Sequence, residues 1–322
     1  MTEDLKKTTQ NMVNDAVAWL LFQETKEGWQ GDVRATSYAL QALVACGMGS
    51  HEQSVQIGVD YLCTCQDPET STWSQNDGDT AEALRTLVMC DKSSQDRIIT
   101  DGLAGLTVLK ASGKCIVRSE VGWVHPNLVA RALIAIGQNP TELFKPISAF
   151  LTGEAGYDVK YTSRTVMVFK EARLEDDPSF KSAEAFLKKS VNNIASMGGE
   201  YIGYLIQALV ALGNTFEQGM MQKILNYLEK SQHKNGSWED NVKATAQILI
   251  GLAALGFRYT KPSPLNRKNI ARVTILSAMV ILAIVLYFSL QSFVTTIVNL
   301  VGLFVSIVVI LEWAYPKIKL RV

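Results

Sequence analysis

Between Trp19 and Leu252 two kinds of apolar segment alternate along the chain. One kind is amphipathic; the other is apolar on nearly every side, as in Ala130 to Ile136 and Tyr204 to Leu212. A helix apolar all round has to be buried on several sides. The kinds are joined by a recurring phrase: an aromatic-Leu pair, a Gln, a few polar residues, Gly-x-Trp or Gly-Trp, then a helix rich in Ala and Leu. The clearest copy has Tyr227, Leu228, Gln232, Gly236 and Trp238, followed by Val242, Ala244, Thr245, Ile248, Leu249 and Leu252. Another has Trp19, Leu20, Gln23, Gly28 and Trp29, followed by Val33, Ala35, Thr36, Leu40 and Leu43. A third has Tyr61, Leu62, Gln66 and Trp73, with Thr80 in the place of Thr36 and Thr245. Weaker copies begin at Gly122-Trp123, Gly156-Tyr157 and Gly198-Gly199.

The copies recur about every 42 residues, a spacing that marks a repeat architecture. Each unit reads as two helices, with the Gln satisfying carbonyls at the end of the first, Gly allowing the turn, and Trp packing between units. The expected fold is therefore all-α: an (α/α)6 toroid of six helix-pair repeats over residues 1–260, with an open solenoid as the alternative. Closure would leave a central lumen, where a ligand site belongs.

The repeated phrase resembles the QW-type repeat of the prenyltransferase and squalene–hopene cyclase superfamily, over roughly residues 10–258. That resemblance implies a toroid whose relatives cyclise terpenoids or transfer prenyl groups. Class II cyclases protonate an alkene with the middle Asp of Asp-x-Asp-Asp-Thr-Ala. The corresponding stretch is Asn76-Asp77-Gly78-Asp79-Thr80-Ala81, so Gly78 stands at the donor position. Asp77 and Asp79 remain the candidate catalytic acids; alternatively Asp79 caps or orients the start of its helix. Prenyltransferase β subunits hold a zinc with Asp, Cys and His. The histidines here are His51, His125 and His233, and His125 has no Cys or Asp at ligand spacing. Cys63 and Cys65 point apart on an outer helix, so no metal and no cofactor are expected.

Five of the six inner helices carry a basic residue: Arg34, Arg85, Arg131, Lys160 with Arg164, and Lys243. Directed at the lumen, these would favour an anionic small molecule or nucleotide-like ligand. The alternative is that they pair with Asp32, Asp77, Asp79, Asp158 and Asp240 at helix starts. A cyclase lumen is instead expected to be aromatic and acid-lined.

From Val273 the composition changes sharply, and Lys261-Pro262-Ser263-Pro264 before it reads as a short stiff linker. Residues 261–272 read as a basic linker, and 273–316 as two transmembrane helices, Val273 to Leu290 and Phe293 to Leu311. Residues 317–322 form a basic tail. Basic flanks at both outer ends, and no signal peptide, place the toroid and both termini in the cytoplasm at the inner (plasma) membrane. Thr295, Asn299, Gly302 and Ser306 share one helix face, suited to helix packing or a pore wall. Either use implies a homo-oligomer.

The chain has 31 basic and 31 acidic residues, but six of the basic ones and one acid follow Pro262. The preceding part, with 25 basic and 30 acidic residues, does not suggest a nucleic-acid-binding face. The five cysteines, without a secretory framework, suit a reducing compartment. The leading functional expectation is a membrane effector or receptor whose toroid senses a ligand or a regulatory protein and controls an oligomeric hairpin, with an ion channel as one form of that hairpin. In domain layout this is similar to effectors of bacterial immune (antiviral defense) systems. The alternatives are a membrane-anchored isoprenoid-processing enzyme, terpene cyclase or prenyltransferase-like, and a protein-docking platform.

Overall fold

The computed structural model describes residues 2–111, 125–144, 147, 158–176, 178–213, 218–261 and 299–306. Met1–Thr260 and Lys261–Val322 are separate compact units. The first is helical: α1 Glu3–Phe22, α2 Val33–Ala45, α3 Gln53–Thr64, α4 Asp77–Met89, α5 Arg97–Ala111, α6 Pro126–Ile136, α7 Val159–Glu171, α8 Pro178–Ser190, α9 Gly199–Ala211, α10 Gln218–Ser231 and α11 Val242–Ala254. A two-residue antiparallel pairing, Glu24–Thr25 with Gly28–Trp29, follows α1.

Six of these helices form a closed ring by successive packing: α2 on α4, then α6, α7, α9, α11 and back to α2. Helices α1, α3, α5, α8 and α10 pack outside it. The ring closes through polar contacts as well as packing: Tyr259 N–H donates to the Cys46 carbonyl at 2.9 Å, and Asn14 Nδ2 to Thr260 Oγ1 at 2.9 Å.

The repeated phrase has a concrete geometry. Trp29, Trp73 and Trp238 are buried, and their indole Nε1 groups donate to the carbonyls of Leu20, Leu62 and Leu228 at 2.7, 2.7 and 3.0 Å. Their backbone N–H groups each donate at 3.0 Å to a threonine seven residues on: Thr36, Thr80 and Thr245. The Trp therefore ties the end of an outer helix to the first turn of the inner helix that follows. The Gln side chain has a different role from the expected one. Gln66 Nε2 reaches Ser71 O at 3.1 Å and Ile98 O at 3.0 Å, while Gln232 Nε2 reaches Gly236 O at 2.8 Å and Met12 O at 3.0 Å. In these two copies the Gln side chain staples its loop to the neighbouring outer helix, α5 or α1; in the first copy Gln23 is the C-cap of α1, its backbone N–H donating to the Trp19 and Leu20 carbonyls at 3.1 Å.

Two glycines absent from the sequence phrase complete the packing. A Cβ on Gly58 would lie 2.8 Å from both Leu40 Cδ2 and Trp29 Cζ3. One on Gly102 would lie 2.8 Å from Leu84 Cδ2 and 2.9 Å from Trp73 Cζ3. Outer helices α3 and α5 thus present a bare backbone stripe on which the preceding Trp lies.

Most of residues 273–316 lies outside the described residues, including Thr295. Residues 299–306 are helical, with Leu300, Val301, Leu303, Phe304 and Val305 exposed and Ser306 Oγ donating to the Gly302 carbonyl at 2.8 Å. Among the described residues no helix is long and apolar enough to cross a membrane.

Candidate functional site

All six ring helices begin at the same end, because contacts between their starts run around it. Lys243 Nζ lies 3.1 Å from Asp32, Arg34 Nη2 2.6 Å from Asp79, and Lys160 Nζ 2.6 Å from Glu200. Asp77 bridges α4 to α6: its carboxylate accepts from the His125 backbone N–H at 2.9 Å and lies 3.0 Å from the His125 Nδ1. Glu239 Oε1 accepts from the Gly199 N–H at 2.6 Å, joining the approach to α11 with α9. Side chains here are partly exposed, at 23% for Arg34, 22% for Lys160 and 30% for His125, so this end is the mouth of the lumen.

Asp77 itself is 1% exposed. Asp79 does not cap α4; Asn76 does, its side chain accepting from the Asp79 N–H at 2.8 Å. Between the two acids stands Gly78, where the resemblance puts the cyclase proton donor. A Cβ there would lie 2.6 Å from Arg34 Nη2 and 2.8 Å from His125 Nδ1. The room that a donor side chain would need is taken by a guanidinium and an imidazole.

One turn deeper, the sixth residue of each ring helix is polar and buried: Tyr38, Glu82, Arg131, Arg164, Tyr204 and Gln247. Positions 2 and 6 of a helix lie on one face, and this one turns toward the ring's centre. There Arg164 Nη2, on α7, donates to Tyr38 Oη at 3.0 Å on the diametrically placed α2, and to Tyr204 Oη at 2.8 Å on α9. Tyr204 donates to Tyr38 at 2.9 Å. Side chains therefore cross the lumen at mid-height. Burial pushes the Tyr38 phenol well above its ordinary value, and raises Tyr204 as well.

Deeper still, Gln41 Nε2 donates to Glu82 Oε2 and to Thr86 Oγ1, both at 2.8 Å, and Arg85 Nη1 donates to Gln41 Oε1 at 2.7 Å. Arg131 grips Glu171 at 2.8 Å; burial favours the neutral acid, but Arg131 outweighs it and holds the carboxyl below its ordinary value. Burial, then the Arg164 charge, lowers the Lys160 ammonium despite Glu200.

The six cations singled out in the sequence thus lie on ring helices, and five of them have carboxylate partners. Glu200 and Glu171, rather than the expected Asp158 and Asp240, supply two of those partners. Asp158 instead caps α7 through the Tyr161 N–H at 2.8 Å. The described lining mixes phenols, carboxylates and cations, with Arg164 among Tyr38, Tyr204 and Glu82. Tyr38, Glu82, Tyr204 and Gln247 escaped the sequence reading; their shared sixth position is the signal that would have found them. Among the described residues no three His, Cys, Asp or Glu side chains could hold a metal ion.

No protein-family model and no curated protein matches the sequence. The structure is similar to the type II terpene cyclase MstE from Scytonema, with a TM-score of 0.63 at 15% identity, covering 77% of this chain and 97% of that one. A variant of MstE in complex with its substrate, geranylgeranyl dihydroxybenzoate, gives a TM-score of 0.66 at 15% identity over 79% of this chain and 99% of that one. A protein from Actinoplanes gives 0.60 at 14% identity, over 77% and 99%. These similarities overturn the expectation of a membrane effector or receptor. The same ring of helices is the whole body of an enzyme that takes a geranylgeranyl substrate. The ion-channel part of that expectation goes with it. Over 77% of its length the chain has a terpene cyclase-like helical fold.

Proposed function

We propose that this chain is an isoprenoid-processing enzyme, built as a full (α/α)6 toroid, with the Asp77–His125 pair as its proton-handling group. The reading is carried by that pair: a buried carboxylate on the helix that bears the cyclase-like Asp79-Thr80-Ala81, bonded to an imidazole that reaches the lumen mouth. Asp77 on Nδ1 fixes the ring's tautomer and leaves Nε2 as a base. With Gly78 at the donor position, the pair is better suited to removing a proton from a carbocation, or from an attacking nucleophile, than to protonating an alkene. Residues 273–316 would hold the toroid beside a membrane-resident substrate.

The test is turnover by the full chain in detergent, offered geranylgeraniol, geranylgeranyl diphosphate and geranylgeranyl dihydroxybenzoate, with products followed by mass spectrometry. Conversion is expected to fall about 10²–10⁴-fold in His125→Gln and Asp77→Asn, the usual contribution of a positioned base. Melting curves of both variants separate this from unfolding. Absence of conversion and of binding for every isoprenoid, or folded variants with undiminished turnover, would overturn the proposal.

A further inference from the structure

The ion pairs of the lumen leave one cation over. Arg34 has Asp79, Arg85 has Glu82 at 3.8 Å, Arg131 has Glu171, Lys160 has Glu200 and Lys243 has Asp32. Arg164, 5% exposed, has no carboxylate within ion-pair distance among the described residues. Its Nη2 serves two phenols, and its buried Nε has no hydrogen-bond partner. Burying a charge without a counter-charge is strongly unfavourable.

The phenols do not supply that counter-charge. Burial keeps both protonated at neutral pH, so each meets Arg164 as a neutral acceptor. Their own proton accounting points the same way. Tyr204 donates to Tyr38, and Tyr38 already accepts from Arg164, so the Tyr38 proton has no acceptor among the described residues. Glu82 projects its field toward Arg164, but its Oε2 is held by Gln41 at 2.8 Å and lies 3.8 Å from Arg85. The node therefore offers two unmatched donors, Arg164 Nε and the Tyr38 hydroxyl, and one unmatched positive charge.

Cations also line the way in from the mouth. Lys160 is one turn before Arg164 on α7, and the two share the Tyr204 ring, with Lys160 Nζ at 5.9 Å and Arg164 Cζ at 4.5 Å from its centroid. Arg34 faces them from α2, and its Nε is also buried without a partner. The three cations repel one another, and a bound anion would relieve that repulsion.

We infer that Arg164 and Tyr38, with Arg34 and Lys160 on the mouth side, bind an oxyanion: the phosphate or carboxylate head group of the substrate. That the head belongs to an isoprenoid rests on the proposed function; that an oxyanion binds does not.

The experiment measures binding to the full chain in detergent by calorimetry and by thermal shift. The probes are inorganic phosphate, inorganic diphosphate, geranylgeranyl diphosphate, geranylgeranoic acid and neutral geranylgeraniol. Arg164→Gln is expected to weaken every anionic probe on the order of 10–100-fold, the range of a lost charge-assisted hydrogen bond set, and to leave geranylgeraniol unchanged. Tyr38→Phe should weaken the anions less, since it removes a donor and no charge. Arg164→Gln should melt no lower than the parent without a ligand, because it removes an uncompensated buried charge; a purely structural Arg164 would make the variant melt lower and leave anion affinity intact. Diphosphate against carboxylate affinity tells which head is used. Anion binding without any isoprenoid preference would keep this site and sink the isoprenoid reading. Geranylgeraniol binding as tightly as the charged probes, with Arg164→Gln neutral for all, would sink this site and keep that reading.

Discussion

Arg34 Nη2 stands 2.6 Å from the point where a Cβ on Gly78 would be, one ring helix across from it. The same nitrogen is 2.6 Å from Asp79, so the guanidinium is anchored where it is. An aspartate introduced at position 78 would meet a cation, which favours its ionised form. Gly78→Asp alone is therefore expected to give no alkene-protonating cyclisation of a geranylgeranyl substrate. Adding Arg34→Ala removes the cation and the nearer of the two side chains crowding that point, leaving the His125 Nδ1 2.8 Å from it, and any gain of cyclised product should require both changes. Product from Gly78→Asp alone would show that Arg34 is no obstacle.

Thr36, Thr80 and Thr245 each take the backbone N–H of a buried Trp. Val has nearly the same shape and no acceptor, so each Thr→Val change strands a buried donor. The expected cost is about 1–3 kcal/mol per site, read from denaturant midpoints. Because the three clasps lie in different repeats, the losses should add. A neutral Thr80→Val would mean that the Trp73 N–H finds another acceptor.

Gly58 and Gly102 carry the Trp29 and Trp73 rings on their bare backbones. Ala at either position overpacks the contact, with an expected cost of about 1–3 kcal/mol despite its better helix propensity. Gly219, where a Cβ would meet nothing within 4 Å, is the control: Ala there should be neutral or stabilising. If all three substitutions behave alike, the Trp–glycine contact has no energetic weight.

The Glu171 carboxyl is pushed up by burial and pulled down further by Arg131, with a net lowering. A lowered folded-state value stabilises the fold above the ordinary carboxylate range. That contribution is lost as pH falls through the folded-state value, below 4.5. The Glu171 side chain is 34% exposed, so screening limits the pair to about 1 kcal/mol. Melting temperature at neutral pH should fall by about 2–4 °C in Glu171→Gln, and the difference from the parent should vanish in acid. A difference that persists in acid would assign the loss to packing instead.

The helix pairs were readable because their signals are local. Trp29, Trp73 and Trp238 bond within their own repeat, 7 residues forward and 9 to 11 back, so period and chemistry repeat together. The Gln was misread because its partners, Ile98 for Gln66 and Met12 for Gln232, are 32 and 220 residues away. Gly58 and Gly102 were overlooked because a missing side chain leaves no pattern until the Trp above it is seen. The lumen cations were found by type, but not their partners. Arg131 and Lys160 took Glu171 and Glu200, each 40 residues on, in place of nearby aspartates.

By itself, the sequence determined the alternation of buried and amphipathic helices and the Trp anchors, which follow from residue type and short-range spacing; that Gly78 stands where a cyclase carries its proton donor is what the resemblance implies. Tertiary structure decided what meets inside the ring. Arg164 reaches Tyr38 across 126 residues of chain and Tyr204 across 40, and these contacts exist because the ring closes. A helical period fixes which face a side chain shares; ring closure fixes what stands opposite.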